Sequence, residues 1–141
     1  MYIEDKSLYL SGVMNMASSC SSWIGCSYVE AAVFKKSNYR EHFCELYDMK
    51  IEELKLEKIN KTMKELFTDI FGKDERLLAG LDYLVNRKIS SLNDIYSIED
   101  MALLEELSDK DVGIAPFYII DGVYFIEGEK EVLCLVIGNN E

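Results

Sequence analysis

The sequence has little of several residues on which common functional sites depend. Among its 141 residues there is one histidine, one proline and one tryptophan. A single histidine excludes the His-Glu-x-x-His pattern of zinc hydrolases, which needs two imidazoles on one helix face. A single proline together with 49% hydrophobic residues argues against a disordered chain. We therefore expect one folded domain over residues 1–141, with a hydrophobic core that is stable without disulfide bonds.

Glycine-rich phosphate-binding motifs are also missing. Neither Gly-x-x-x-x-Gly-Lys-Ser/Thr nor Gly-x-Gly-x-x-Gly occurs in the chain. The segment 109–113 begins like a calcium-binding EF-hand loop, but Ile114 stands where that loop needs glycine and Ile120 where it needs glutamate. These patterns predict no P-loop, no dinucleotide site and no EF-hand, and the sequence predicts no bound cofactor.

Targeting features are missing as well. Glu4-Asp5-Lys6 precedes the first apolar stretch, whereas a secretory signal needs a basic start and an unbroken apolar run. Residues 7–29 carry no charge over 23 positions, which is the length of a membrane span. Seven serines and Asn15 make this segment too polar for a helix that faces lipid. We expect a cytoplasmic protein that does not enter a membrane.

Four cysteines, Cys20, Cys26, Cys44 and Cys134, are the remaining candidates for metal or nucleophilic chemistry. Cys20, Cys26, Cys44 and His42 have the residue types of a Cys₃His zinc site, but none forms the close Cys-x₂-Cys pair that such sites use. No local signature pairs a cysteine with His42 for nucleophilic catalysis. The sequence therefore predicts free thiols, no metal site and no catalytic residue.

Basic residues are scarce in the last third of the chain. From Asp94 to Glu141 there are 12 acidic residues against two lysines, whereas the first 93 residues carry 14 acidic and 13 basic ones. A negative field of this kind repels nucleic acid and anionic membranes and attracts basic surfaces. Lys35, Lys36 and Arg40 form a small basic cluster, but the chain as a whole carries a net charge of −11. We expect no direct binding to nucleic acid.

The acidic tract is the main candidate site, and it has two interpretations. Charged faces are ordinarily solvated and improve solubility. The functional interpretation is a docking face for a protein with a basic surface. Trp23 is added as an aromatic candidate, although the single tryptophan of a small domain usually anchors a core. The candidate partner contacts are Trp23, Glu99, Asp100, Glu105, Glu106, Asp109, Asp111, Asp121, Glu127 and Glu129.

Two functions from different classes follow from these features. The first is a small acidic, non-catalytic interaction protein that acts as a regulator, an inhibitor or an assembly partner. The alternative is a small-molecule sensor or enzyme whose pocket lies between the uncharged segment 7–29 and a C-terminal sheet. Convergent polar groups with perturbed pKa values in such a pocket would favour the alternative.

Hydrophobic periodicity predicts an α+β fold, with an N-terminal bundle of four to five helices that ends near Val112. Two helix faces are possible near the N-terminus, one of Leu8, Leu10, Val13, Met14 and Ala17 and one of Tyr28, Ala31, Ala32 and Phe34. The later predicted helices are one that starts at Ser37, an apolar stripe from Ile51 to Ile70 that ends at Gly72, one that starts near Asp74 and one that starts near Ser97. Residues 1–36 leave helix and partial strand open, because serine and glycine weaken both patterns.

Toward the end of the chain, the spacing of apolar residues changes from the helical period to the two-residue period of β-strands. Three runs rich in β-branched and aromatic residues, 117–120, 123–126 and 132–137, predict a three-stranded antiparallel meander. Asp121-Gly122 predicts a tight hairpin between the first two strands, because both positions tolerate positive φ. Residues 127–130 predict a second, longer turn.

Overall fold

The fold is built on one five-stranded antiparallel sheet with helices on both faces, as shown by a computed structural model that describes residues 3–20, 28–110, 113–114 and 119–139. The elements in chain order are α1 (Glu4–Cys20), β1 (Tyr28–Lys35), α2 (Tyr39–Leu46), β2 (Glu57–Ile59), α3 (Met63–Phe71), α4 (Glu75–Asn86), β3 (Asp94–Ser97), α5 (Met101–Ser108), β4 (Ile119–Glu127) and β5 (Glu131–Asn139). Short 3₁₀ turns lie at Lys36–Asn38 and Ile51–Glu53. The predicted α+β class is confirmed.

The sheet has the strand order β1-β5-β4-β3-β2, so the prediction of a three-stranded meander is wrong. The sequence left helix and partial strand open for residues 1–36, and in the structure Tyr28–Lys35 is the strand β1, although Tyr28, Ala31, Ala32 and Phe34 could also have formed a helix face. This strand is covered on both faces, so its apolar residues run almost continuously and show no alternation. The turn predicted at 127–130 is confirmed, since it joins β4 to β5.

The helices form two layers and not an N-terminal bundle. One core lies between the sheet and the pair α2 and α5, with Phe43, Tyr47 and Leu107 among its buried side chains. The other core lies between the opposite sheet face and α1, α3 and α4, with Met14 and Phe67 at its centre. Because strands separate the helices along the chain, the predicted four- to five-helix bundle is replaced by this layered arrangement.

Asp121-Gly122 lies inside β4 and makes no hairpin turn. The strand runs from Ile119 to Glu127, and its pairing with β5 shifts register between Ile120 and Gly122. The dipeptide is therefore a β-bulge, in which one extra residue bends the strand and leaves the ladder otherwise intact. Residues 117–118 of the predicted first strand lie outside the described residues.

The apolar stripe from Ile51 to Ile70 belongs to three elements and not to one helix. Only α3, after Thr62, is helical, and Gly72 ends it at φ 89° as predicted. The Thr62 hydroxyl accepts the Glu65 N–H at 3.1 Å, and the Glu65 carboxylate accepts the Thr62 N–H at 3.0 Å. This capping box fixes the start of the helix at residue 63. The apolar residues before it are therefore not part of the helix, although their spacing looks helical.

Side-chain caps also determine the starts of the later helices. The Asp74 carboxylate accepts the N–H groups of Arg76 and Leu77, which confirms the predicted start of α4. For α5 the cap is Asp100 and not Ser97, since Asp100 accepts the Ala102 N–H at 3.0 Å. Ser97 is the last residue of β3.

The start of α2 differs from the prediction in the same way. The helix begins at Tyr39, and the predicted cap Ser37 lies within the preceding 3₁₀ turn. The residue that occupies the cap position is Asn38, whose side chain makes no capping hydrogen bond.

Helix α1 covers the outer edge of β1 with its serine side chains. The Ser7 hydroxyl accepts the Val33 N–H at 2.8 Å, and Ser11 contacts Ala31 in the same manner. The uncharged, serine-rich segment is therefore helical from Ser7 through Cys20, and Ser7 and Ser11 bond the backbone of β1. Among the helices that the structure describes, none is both long enough and apolar enough to cross a bilayer.

Candidate functional site

The acidic residues of the chain are concentrated on one of the two helical layers. The segments 39–56 and 99–110, which carry α2 and α5, contain ten acidic and four basic residues. The segments 3–20 and 60–93, which form the opposite layer, contain seven of each. We call the first of these surfaces the α2/α5 face. Its net charge is −6, while the opposite layer is neutral.

Helix α5 presents its carboxylates because of the way it packs on β4. Its three buried leucines, Leu103, Leu104 and Leu107, face the sheet. The Ser108 hydroxyl accepts the Ile120 N–H at 2.9 Å and holds the end of the helix at the start of β4. Four predicted contact residues on the outer side are exposed: Asp100, Glu105, Glu106 and Asp109. Glu99, just before the helix, is also exposed and accepts the Ser97 hydroxyl at 2.6 Å.

Helix α2 and the turn after it extend this acidic surface. Burial first, and then the carboxylates of Glu41, Glu53 and Glu52, together raise the pKa of the Cys44 thiol to about 11. The Lys110 ammonium donates to the Asp48 carbonyl at 2.9 Å, which ties the end of α5 to the end of α2. The α2/α5 face is therefore continuous, although residues far apart in the sequence supply its charge.

The other predicted contact residues lie outside the segments 39–56 and 99–110, although Glu127 contacts the first residue of α2. Glu127 is half-buried and accepts the Tyr39 hydroxyl at 2.6 Å. Glu127 and Glu129 lie at the far end of β4, roughly 20 Å along the strand from Ile120 and the end of α5. Asp121 is exposed in the bulge near α5. Asp111 and Trp23 lie outside the described residues.

The buried thiols do not have the properties of nucleophiles. Burial raises the pKa of Cys134 well above its ordinary value, and Cys44 is shifted in the same direction. A reactive cysteine needs a lowered pKa. Over the part of the chain that the structure describes, no three His, Cys, Asp or Glu side chains are grouped as metal ligands. Cys26 and the side chain of Cys20 lie outside the described residues.

The space between α1 and the sheet is small. A cavity of about 170 Å³ lies beside Ser7, Ser11, Glu30 and Ile114. Small-molecule sites usually enclose about 300–1,000 Å³. The carboxylate of Glu30 is occupied by the Asn15 amide, which donates to it at 2.9 Å. This cavity is smaller than that range, and the alternative of a pocket between the segment 7–29 and the sheet stays a prediction, since residues 21–27 lie outside the described residues.

One feature was missed by the sequence interpretation. A groove of about 860 Å³ lies at the end of the sheet where β1 ends and the β4–β5 turn lies. Six cations line it: Lys6, Lys35, Lys36, Arg87, Lys88 and Lys130. They come from four separate segments, and the adjacent pairs Lys35-Lys36 and Arg87-Lys88 are the local signals that point to it.

The chain was also compared with known proteins. It matches no protein-family pattern, no curated protein and no solved structure.

Proposed function

We propose that this protein is a non-catalytic interaction protein whose α2/α5 face docks on a basic surface of another protein. The observation that carries the proposal is the division of charge between the two helical layers, −6 on one and zero on the other. A charge that served only solubility would not need to be concentrated on one layer. A one-sided field orients the molecule during an encounter and raises the association rate.

Exposed apolar side chains among these carboxylates support a protein partner. Met101 in the first turn of α5 is 68% exposed and is followed one helical turn later by Glu105. Ile51 is 41% exposed and precedes Glu52 and Glu53. Methionine is adaptable at binding surfaces, and protein interfaces combine such apolar contacts with a charged rim. The face thus offers both components of an interface.

The chemistry of the face restricts the class of partner. Nucleic acid and anionic membranes are repelled by ten carboxylates, whereas a lysine- and arginine-rich protein surface is attracted. A basic surface that normally holds nucleic acid has this character, and covering it would inhibit or regulate its owner. We place the protein in the cytoplasm, acting as a regulator, an inhibitor or an assembly partner.

A charge-reversal experiment tests the proposal. Wild-type protein captures partners from the source cell at low salt, and the captured protein is purified for titration calorimetry. Glu105→Lys with Glu106→Lys should weaken its binding at least about tenfold, since close charge pairs across interfaces couple by more than about 1.4 kcal/mol. Both positions lie near the C-terminus of α5, where the helix dipole favours lysine, so the variant should remain folded.

The matched control changes the net charge by the same amount at other places. Glu57 and Asp82 are exposed in β2 and α4, away from the α2/α5 face. Glu57→Lys with Asp82→Lys should leave the affinity within about twofold, apart from the general effect of net charge. Equal losses in the two variants, an affinity that does not change with salt, or no captured protein would contradict the proposal.

A further inference from the structure

The basic groove at one end of the sheet is the feature that the acidic function leaves unexplained. It holds six of the 15 lysine and arginine residues of the chain and two acidic residues, Glu129 and Glu131. The local charge is +4 in a protein whose net charge is −11. The groove is therefore positively charged although the molecule as a whole is negatively charged.

Most of these cations have no carboxylate partner. Lys6 donates to Glu131 at 2.6 Å. Within the described residues, the other five, Lys35, Lys36, Arg87, Lys88 and Lys130, make no ion pair, although carboxylates outnumber cations in the chain. Like charges held close together repel each other, and an anion in the groove would remove that repulsion.

The ends of helices account for only part of the cluster. Arg87 and Lys88 follow the last turn of α4, where the helix dipole favours cations. Lys88 also lies over the Tyr9 ring, with its Nζ 4.5 Å from the ring centre, and Arg87 donates to the Tyr83 hydroxyl at 3.1 Å. Lys35 and Lys130 have no helix terminus to complement, because they lie at the end of β1 and in the β4–β5 turn.

The backbone around the groove is held in place by direct contacts. The Lys36 N–H donates to the Lys130 carbonyl at 2.9 Å, which joins two walls of the groove. Gly128 packs so closely on the segment after α4 that an added Cβ would lie 2.9 Å from the Ser90 carbonyl oxygen. A preorganised set of cations binds an anion with less loss of conformational freedom than a set that must be gathered.

We propose that this groove binds a small anion with several phosphate groups, an inorganic oligophosphate or the phosphates of a nucleotide. Lysine and arginine are the usual phosphate ligands, and several cations match several charges. The volume suits a molecule of this size. A nucleic acid would extend beyond the groove onto an acidic protein body, which disfavours it. This site is independent of the function proposed for the α2/α5 face.

The test is titration calorimetry of the full chain at about 50 mM salt, a concentration that screens the field only partly. The probes are inorganic tripolyphosphate, ATP and a single-stranded oligonucleotide. We expect tripolyphosphate and ATP to bind with Kd values below about 1 mM and within about fivefold of each other, since the lining offers phosphate ligands and little apolar surface. If the oligonucleotide bound with a lower Kd than tripolyphosphate and ATP, the proposal would be overturned.

Variants then locate the binding. Lys35→Gln with Lys130→Gln should weaken tripolyphosphate binding at least about tenfold, because two charge-assisted contacts are lost. Arg87→Gln, on a different wall, should weaken it several-fold. The control is Lys55→Gln with Lys73→Gln, which removes the same charge at two exposed lysines outside the groove. Equal weakening by the control, no effect of the groove variants, or no binding of tripolyphosphate to wild type would overturn the proposal.

Discussion

Ser11 bonds both backbone polar groups of Ala31. Its hydroxyl donates to the Ala31 carbonyl at 2.7 Å and accepts the Ala31 N–H at 3.0 Å. Those groups lie on the outer edge of β1, where no further strand follows in the described sheet. One side chain therefore takes the place of a neighbouring strand at this position. An edge closed in this way cannot pair with the edge of another chain.

The arrangement repeats because the spacings of helix and strand match. Four residues of α1 rise about 6 Å, and two residues of an extended strand cover about 6.6 Å. Ser7 thus reaches Val33 as Ser11 reaches Ala31. Two of the seven serines of the uncharged segment, Ser7 and Ser11, therefore bind α1 to the sheet.

Ser11→Ala should lower the free energy of unfolding by about 1–3 kcal/mol, because the N–H and C=O of Ala31 lose their partner. Urea denaturation measures the change. Ser19→Ala is the control, since Ser19 is exposed on the same helix and, among the described residues, its hydroxyl bonds the Asn15 carbonyl of its own helix. The control should be neutral or slightly stabilising. Equal stabilities of the two variants would contradict the role of Ser11.

Two glycine-to-alanine substitutions should have opposite effects. Gly80 lies within α4 with nothing within 4 Å of an added Cβ, so Gly80→Ala should stabilise by about 0.5–1 kcal/mol. Gly128→Ala should destabilise, since its Cβ would lie 2.9 Å from one backbone oxygen and 3.0 Å from another. Thermal unfolding should move the Tm in opposite directions, and a neutral Gly128→Ala would show that the turn can shift.

Thr62→Ala should cost about 1 kcal/mol of stability, because it removes the capping hydrogen bond to the Glu65 N–H. Thr68 lies inside the same helix, and its hydroxyl donates to the Lys64 carbonyl. Thr68→Ala should therefore not destabilise, since alanine is the better residue in a helix interior. The comparison by urea denaturation separates capping from helix propensity. A loss at Thr68 equal to that at Thr62 would argue against the capping box.

Stability should fall at alkaline pH. Burial, together with the hydrogen bond to Glu127, raises the pKa of Tyr39 to about 12, above its ordinary value of 10.0. The unfolded state then loses its proton first, so this contribution is present below about pH 10 and is lost as pH rises toward 12. Cys44 acts in the same direction between its ordinary value of 9.0 and about 11. Denaturation at several pH values should show a smaller decline above about pH 10 for Tyr39→Phe than for wild type.

The elements with local signals were predictable, and those defined by distant partners were not. Asp74 and Gly72 mark helix ends by their own chemistry, and both positions are confirmed. The strand β1 could not be recognised because its pattern depends on helices covering both of its faces. Asp121-Gly122 has the local preferences of a turn, but pairing with β5 continues through it and turns it into a bulge.

The same division applies to the site. The carboxylates around α5 could be grouped from the sequence because they are neighbours in it. Glu127 and Glu129 were grouped with them for the same reason, although the strand carries them to the opposite end of the sheet. The six cations of the groove come from positions between 6 and 130, and only the strand order brings them together. No window along the sequence contains that information.

The position of β5 between β1 and β4 determines when the sheet can form during synthesis. Tyr28 pairs with Gly138, 110 residues later, and β4 pairs with the other side of the same strand. Until residues 131–139 have left the ribosome, β1 lacks its partner strand in the described sheet, and both apolar cores lack the residues of β5. Nascent chains of this protein therefore cannot complete the described sheet until β5 is synthesised, and apolar surface stays exposed for most of their elongation.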